Sequence, residues 1–232
     1  MRKFQGAFKG QPCFLVGNGP SLNDTPLDEL EHFYTFGMNQ INLLYEQTVW
    51  RPTFYIATTL KGWYWSKTWR DNMNKNMVNW GLTSFVARTI PIRGLNIYPI
   101  NMAYWVEHED KQARMFSRDC AWQVGHLGTT MYVAFQLAAW MGFNPINLVG
   151  CDLGYKADGG ESRGHFRDDY WGDRGVRQPM NDEICENINA ATLLAHVAAK
   201  GYMDAHGIEV YNATVGGELE VWPRKDIWEA IR

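Results

Sequence analysis

The sequence predicts an α/β chain built on a mostly parallel sheet with helices on both faces. Three observations carry this. Residues 12–17 (Pro-Cys-Phe-Leu-Val-Gly) are a short continuous apolar run ending in glycine, the pattern of a strand buried on both faces, and 146–150 (Ile-Asn-Leu-Val-Gly) reads as another buried strand. The apolar stretch 129–141 closes at Gly142 and feeds the second of these runs, as a helix feeds a parallel strand. Strand-like and helix-like segments also alternate along the remaining chain.

Each element follows from local chemistry. The first strand runs into Gly17-Asn18-Gly19-Pro20-Ser21-Leu22. Thr25-Pro26-Leu27-Asp28 then supplies a capping hydroxyl, a proline suited to the first helical position and a carboxylate at the third, predicting a short helix to about His32. Residues 34–38 and 53–58 read as the second and third strands, with a brief helix within 40–46. Residues 60–120 are rich in tryptophan and asparagine (Trp63, Trp65, Trp69, Trp80; Asn72, Asn74, Asn76, Asn79) and carry no clean period outside 84–86 and 96–100. They are expected to be an insertion or lid within one domain spanning 1–232. Residues 154–181 are glycine-rich and charged, predicting a long loop of the kind that often carries function. Ile184, Ile188, Ala191, Leu194, Ala195, Ala198 and Tyr202 mark a helix over 183–206 ended by Gly207. A last strand at 208–212 follows, and Asp226 and Glu229 have capping-box spacing for a short terminal helix. Strand, glycine turn and helix in this order make the fold Rossmann-like.

Composition narrows the function classes. Of the 232 residues 46% are apolar, enough for a sizeable core, and a net charge of −3 gives no bulk pull toward nucleic acid or anionic lipid. The longest apolar run, 131–143, is too short to span a bilayer and contains Gln136, and the first ten residues lack the apolar core of a signal peptide. Four scattered cysteines without a C-x-x-C pair suit free thiols in a reducing compartment, so a cytoplasmic protein is expected. Histidines at ligand spacing for zinc and a G-x-S-x-G nucleophile elbow are both absent.

The glycine turn is the strongest chemical signal. Between a buried strand and a helix, Gly17 and Gly19 let backbone amides approach an anion, and Asn18 and Ser21 add side-chain donors. The fingerprint for NAD would need glycine at Leu22, and a P-loop would need a Gly-Lys-Ser/Thr ending, so neither is supported. Asp152 stands just past the carboxyl end of a buried strand, where open α/β sheets hold ligands. It could accept from a ribose hydroxyl, bind Mg2+ beside a pyrophosphate, act as a general base, or cap the next turn. His165 lies in the loop among Arg163, Arg167, Asp168 and Asp169; an imidazole there could deprotonate an acceptor hydroxyl with a carboxylate fixing its tautomer. Asp168 and Asp169 could also pair on a metal, and His196 belongs with the helix core or surface.

Gly17 to Leu22, Phe36-Gly37-Met38-Asn39-Gln40-Ile41, Gly128-Thr129-Thr130 and Met141-Gly142-Phe143 leading to Leu148-Val149-Gly150-Cys151-Asp152-Leu153-Gly154-Tyr155 together resemble two related groups. One is the DUF115 or MptE-like family, named for archaeal 6-hydroxymethylpterin diphosphokinases; the other is the sialyltransferases of glycosyltransferase family 42. The likeness covers roughly residues 12–58 and 125–215. It implies a nucleotide-sugar donor, such as a CMP-sugar, held by Asn18, Ser21, Asn39, Thr129 and Thr130, with Tyr155 on the phosphate. The chain departs from the sialyltransferases at the end of the third strand, where the family's asparagine has no counterpart and Tyr55-Ile56-Ala57-Thr58 stands instead, and at the catalytic histidine, whose aligned position falls on Ala190.

These signals point to a transferase with a nucleotide-activated donor, expected to be a glycosyltransferase that needs no cofactor, with His165 and Asp152 as catalytic residues. Gly17, Asn18, Gly19, Pro20, Ser21, Asn39, Gly128, Thr129, Thr130 and Tyr155 would bind the nucleotide. The acceptor is unassigned, and a homo-oligomer stays open. One alternative is a diphosphokinase in which Asp152 with Asp168 or Asp169 holds Mg2+ and ATP is the donor. The other is a nucleotide-binding module without catalysis.

Overall fold

The computed structural model describes residues 1–58, 66–104, 116–158, 161–162, 164–170 and 181–232. Seven strands form one sheet: β1 (Cys13–Val16), β2 (Tyr34–Met38), β3 (Phe54–Ala57), β4 (Thr83–Ala87), β5 (Ile97–Ile100), β8 (Ile146–Val149) and β11 (Val210–Asn212). Their order is β11-β8-β1-β2-β3-β4-β5, and every neighbouring pair is parallel. The chain therefore builds outward from β1 through β5, then returns to lay β8 and β11 on the other side of β1. Two small pairings stand apart: β6 (Met102–Tyr104) with β7 (Val124–His126), and β9 (Ala157–Asp158) with β10 (Glu161–Ser162).

Alternation along β1 explains its unbroken apolar run. Cys13 and Leu15 face one core with Phe36, Phe54, Phe85 and Leu148, while Phe14 and Val16 face a second with Tyr55, Val86 and Val149. Against the first face lies α2 (Thr130–Met141), which is buried at eleven of its twelve positions because α3 (Asp182–Ala205) covers its other side. Thr129 caps α2 through its hydroxyl, which accepts from the Met131 amide at 3.3 Å. Gly142 ends it in the left-handed conformation at φ 93°. Gln136, the polar residue in this run, is fully engaged: Oε1 accepts from the amides of Ser117 (3.0 Å) and Gly125 (2.8 Å), and Nε2 donates to the carbonyls of Gly125 and Tyr132 (both 2.8 Å).

The segment expected to be an insertion or lid is corrected over 83–100, where it supplies β4 and β5 to the main sheet. Residues 59–65 and 105–115 lie outside the described residues. Asn72 and Asn76 have a packing cause. Asn72 on α1 (Lys67–Asn74) donates to Gln40 Oε1 at 2.6 Å, and one wider turn later Asn76 donates to Asn42 Oδ1 at 3.1 Å and accepts from the Tyr45 hydroxyl at 2.7 Å. An amide ladder thus fixes α1 to the short 3-10 helix Ile41–Leu44. Two other local expectations shift. The helix after the glycine turn is a 3-10 turn, Leu27–Leu30, with no side-chain cap, because the Thr25 hydroxyl donates back to the Ser21 carbonyl at 2.8 Å. Asp226 does cap α4 (Ile227–Ala230), accepting from the Trp228 amide at 2.8 Å. All four cysteines are free and buried, and among the described residues no helix is long and apolar enough to cross a membrane.

Candidate functional site

Where the strand order reverses between β1 and β8, the two chains diverge beyond their carboxyl ends and leave a crevice. A cavity of about 500 Å³ occupies it. Its walls include Gly17, Asn18, Gly19 and Pro20 after β1, Asn39 after β2, Gly128, Thr129 and Thr130 at the start of α2, and Asp152, Tyr155 and His165 after β8. Of the residues singled out from the sequence for the nucleotide or for catalysis, Ser21 is the one that does not line it.

Ser21 is instead the partner of Asp152. The carboxylate accepts from the Ser21 amide at 3.0 Å and from the Ser21 hydroxyl at 2.7 Å, across 131 residues of chain. Gly19 is required here because a Cβ at that position would sit on the carboxylate. Two amides of the turn are also bonded within the protein: Gly17 donates to Val149 (2.8 Å) and Gly19 to Gly150 (2.9 Å). The anion held at the Ser21 end of the turn in this structure is the protein's own carboxylate. A phosphate oxygen 4 Å from that half-buried carboxylate would be repelled by roughly 1 kcal/mol in bulk water and about 4 kcal/mol at the dielectric of a protein surface. Asp152's carboxyl is raised above the ordinary range by burial, with the Ser21 donors and the Arg224 charge pulling the other way.

The opposite wall is built from neutral donors. Asn39, at φ 51°, receives the Tyr55 hydroxyl on its carbonyl at 2.6 Å and donates Nδ2 to the Thr130 hydroxyl at 3.3 Å. Thr58 stands at the end of β3 and its hydroxyl lies 2.6 Å from that of Thr130. Thr58 is buried behind Thr130 and does not itself line the cavity. Asn18 donates to the Met38 carbonyl at 3.3 Å, and its buried Oδ1 has no hydrogen-bond partner among the described residues.

The 164–170 strap closes the third side. Phe166 donates its amide to the Asn18 carbonyl at 3.0 Å and accepts from Asn23 Nδ2 at 3.0 Å, so the strap is tied to the glycine turn. His165 stacks on Tyr170, ring centroids 3.8 Å apart, and its Nε2 lies 3.4 Å from the Tyr155 hydroxyl. Enclosure by these rings takes the imidazole down to about 3 and the Tyr155 phenol up to about 12. The histidine is therefore neutral at pH 7. Asp169, expected as a tautomer-fixing neighbour or half of a metal pair, is bound to Arg167 through two 2.7 Å contacts, and neither it nor Asp168 lines the cavity. Among the described residues, no group of three or more His, Cys, Asp or Glu side chains could hold a metal ion. His196 is buried in the helix core and also borders the cavity: its Nδ1 accepts from Trp222 Nε1 at 2.8 Å, and burial lowers it to about 4.

Reading the sequence missed the fourth wall, Gly217 and Glu218. Glu218 donates its amide to the Asp152 carbonyl at 2.6 Å and its carboxylate pairs with Lys156 at 2.9 Å. The turn is ordered by Arg224, which donates to the carbonyls of Thr214 (3.1 Å), Gly216 (2.5 Å) and Gly217 (3.0 Å). Gly216-Gly217 after the last strand was the available signal. No lysine or arginine is among the described residues lining the cavity.

No family model matches the chain, and no curated protein matches it, so the likeness to the two families rests on the motifs themselves. Among solved structures, the chain is similar to the MAf glycosyltransferase of Magnetospirillum magneticum AMB-1, with a TM-score of 0.54 and 14% identity. The match covers 96% of this chain and 35% of that one, so the chain spans about a third of that protein's length. At this identity the likeness establishes the shared α/β fold.

Proposed function

We propose that the chain is a transferase of glycosyltransferase type, which binds a nucleotide-activated donor in the cavity between β1 and β8 and passes its sugar to an acceptor hydroxyl without a metal. The observation that carries this is the cavity's position: it lies at the topological switch of a parallel sheet and gathers residues from four separated motifs. Fold likeness to a glycosyltransferase supports the reaction class.

The donor's phosphate belongs on the side of Asn39, Thr129 and Thr130, where neutral donors and the positive end of the twelve-residue α2 face the cavity, and away from Asp152. His165 then takes the acceptor's proton as the acceptor oxygen bonds to the anomeric carbon and the nucleotide leaves with the electrons of the broken bond. Such a base works best with a pKa near the working pH. An anionic phosphate in the cavity raises a neighbouring imidazole from its low resting value, which is the direction required.

Calorimetry with a panel of nucleoside monophosphates and nucleotide sugars, run in EDTA, tests the binding half. Transfer of the sugar to water or to simple glycoside acceptors tests the chemistry. Binding that appears only with Mg2+ and ATP, with AMP formed, refutes the glycosyltransferase assignment in favour of a diphosphokinase. Tight binding with no turnover of any donor refutes catalysis and leaves a binding module.

A further inference from the structure

One feature of the cavity has no place in that function. Asp152 keeps a carboxylate at the floor of the crevice, where the serine beneath it supplies two donors. Together with Glu218 at the rim, it makes the β1/β8 end a surface of acceptors, and no described lining residue offers a cation. A surface of this kind receives hydroxyl or amine donors and turns phosphate away.

Resting on the assignment of a nucleotide-activated donor, we infer that Asp152 is the specificity residue for the donor's ribose, accepting from its 2′ or 3′ hydroxyl, with Ser21 as the positioning residue that fixes the carboxylate. Ser21 holds one oxygen through its hydroxyl and the other through its amide, so the carboxylate is pinned in rotation. Each carboxylate oxygen has a second lone pair to offer a ligand. The glycine turn thereby becomes a sugar-recognition element, and the nucleotide runs from ribose at β1/β8 to phosphate at α2.

The test compares each of the four ribonucleoside 5′-monophosphates with its 2′,3′-dideoxy counterpart by calorimetry in EDTA, on the wild-type chain and on Asp152→Asn. The asparagine keeps the shape and can still bond Ser21. Wild type is expected to prefer the ribo form by about tenfold or more, the worth of a hydrogen bond to a charged acceptor. Asp152→Asn is expected to shrink that preference to about twofold to threefold. Equal wild-type affinity for ribo and dideoxy forms overturns the assignment while the donor site stands. A preference unchanged in Asp152→Asn overturns it too, as does one that appears only when Mg2+ is added. Failure of every nucleotide to bind wild type overturns the functional proposal itself, a different outcome. Should Asp152→Asn fail to fold, Ser21→Ala, which leaves the carboxylate in place but unpinned, carries the assignment: its ribo preference is expected to fall severalfold, and a preference equal to wild type overturns it.

Discussion

Replacing Ser21 by alanine probes the contact on which the site turns. The substitution removes a 2.7 Å hydroxyl bond to Asp152 and leaves the carboxylate with the 3.0 Å amide bond alone. A hydrogen bond to a charged group contributes about 1.5–3 kcal/mol, and because Asp152 is half-exposed the lower end applies, about 1.5 kcal/mol at pH 7. The sign with pH follows from Asp152's raised carboxyl. The folded state holds that proton to higher pH than the unfolded chain does, so protonation stabilises the fold, fully below the unfolded pKa and no longer above the folded one. Removing a donor that favours the anion raises the folded pKa further, so Ser21→Ala costs more at pH 7 than at pH 3.5. Urea unfolding at both pH values measures the difference, and carboxyl chemical shifts of Asp152 report its pKa directly. A variant as stable as wild type at pH 7, or one whose Asp152 titrates at lower pH, refutes the role given to this contact.

Four further outcomes are expected. Gln136→Leu strips four hydrogen bonds and leaves the buried amide and carbonyl of Gly125 without a side-chain partner, costing roughly 3–4 kcal/mol in denaturant unfolding; a cost below 1 kcal/mol would contradict it. Acid should destabilise the fold as pH falls from about 6.5 toward 4, because His196 and His165 are held neutral with folded values of about 4 and 3 while the unfolded chain binds their protons first; His196→Gln should flatten that limb of a melting-temperature profile. Trp222→Phe removes the indole donor from His196 and should cost about 1 kcal/mol, with the His196 titration moving upward by NMR as Nδ1 becomes free to take a proton. Saturating nucleotide should raise the His165 titration, and His165→Ala should lower turnover by about a hundredfold with donor affinity nearly kept; lost affinity would place the imidazole on the donor instead.

Local chemistry was enough for the central elements. Cys13–Val16 is a strand because it is apolar on both faces, Ile146–Val149 because three of its four residues are, and Thr130–Met141 is a helix because a capping threonine, a long packing run and a left-handed glycine all lie within one short stretch. The cavity residues after β1, β2 and β8 were legible for a related reason: strand ends in a parallel sheet fall at predictable places. What sequence could not reveal was who holds whom. Ser21 looked like a nucleotide ligand because it closes a glycine turn after a buried strand, yet its partner is 131 residues away and is set by β8 returning beside β1. Strands β4 and β5 showed their periods at 84–86 and 96–100, but their place in the main sheet was not legible, because Asn72 and Asn76 before them follow contacts with Gln40 and Asn42 rather than any local period. Glu218 entered the site through the backbone of Asp152 and a turn that Arg224 organises. Periodicity and capping are short-range and written in neighbouring residues, whereas the charge balance of the crevice comes from strand order, which brings distant carboxylates and hydroxyls to one sheet edge.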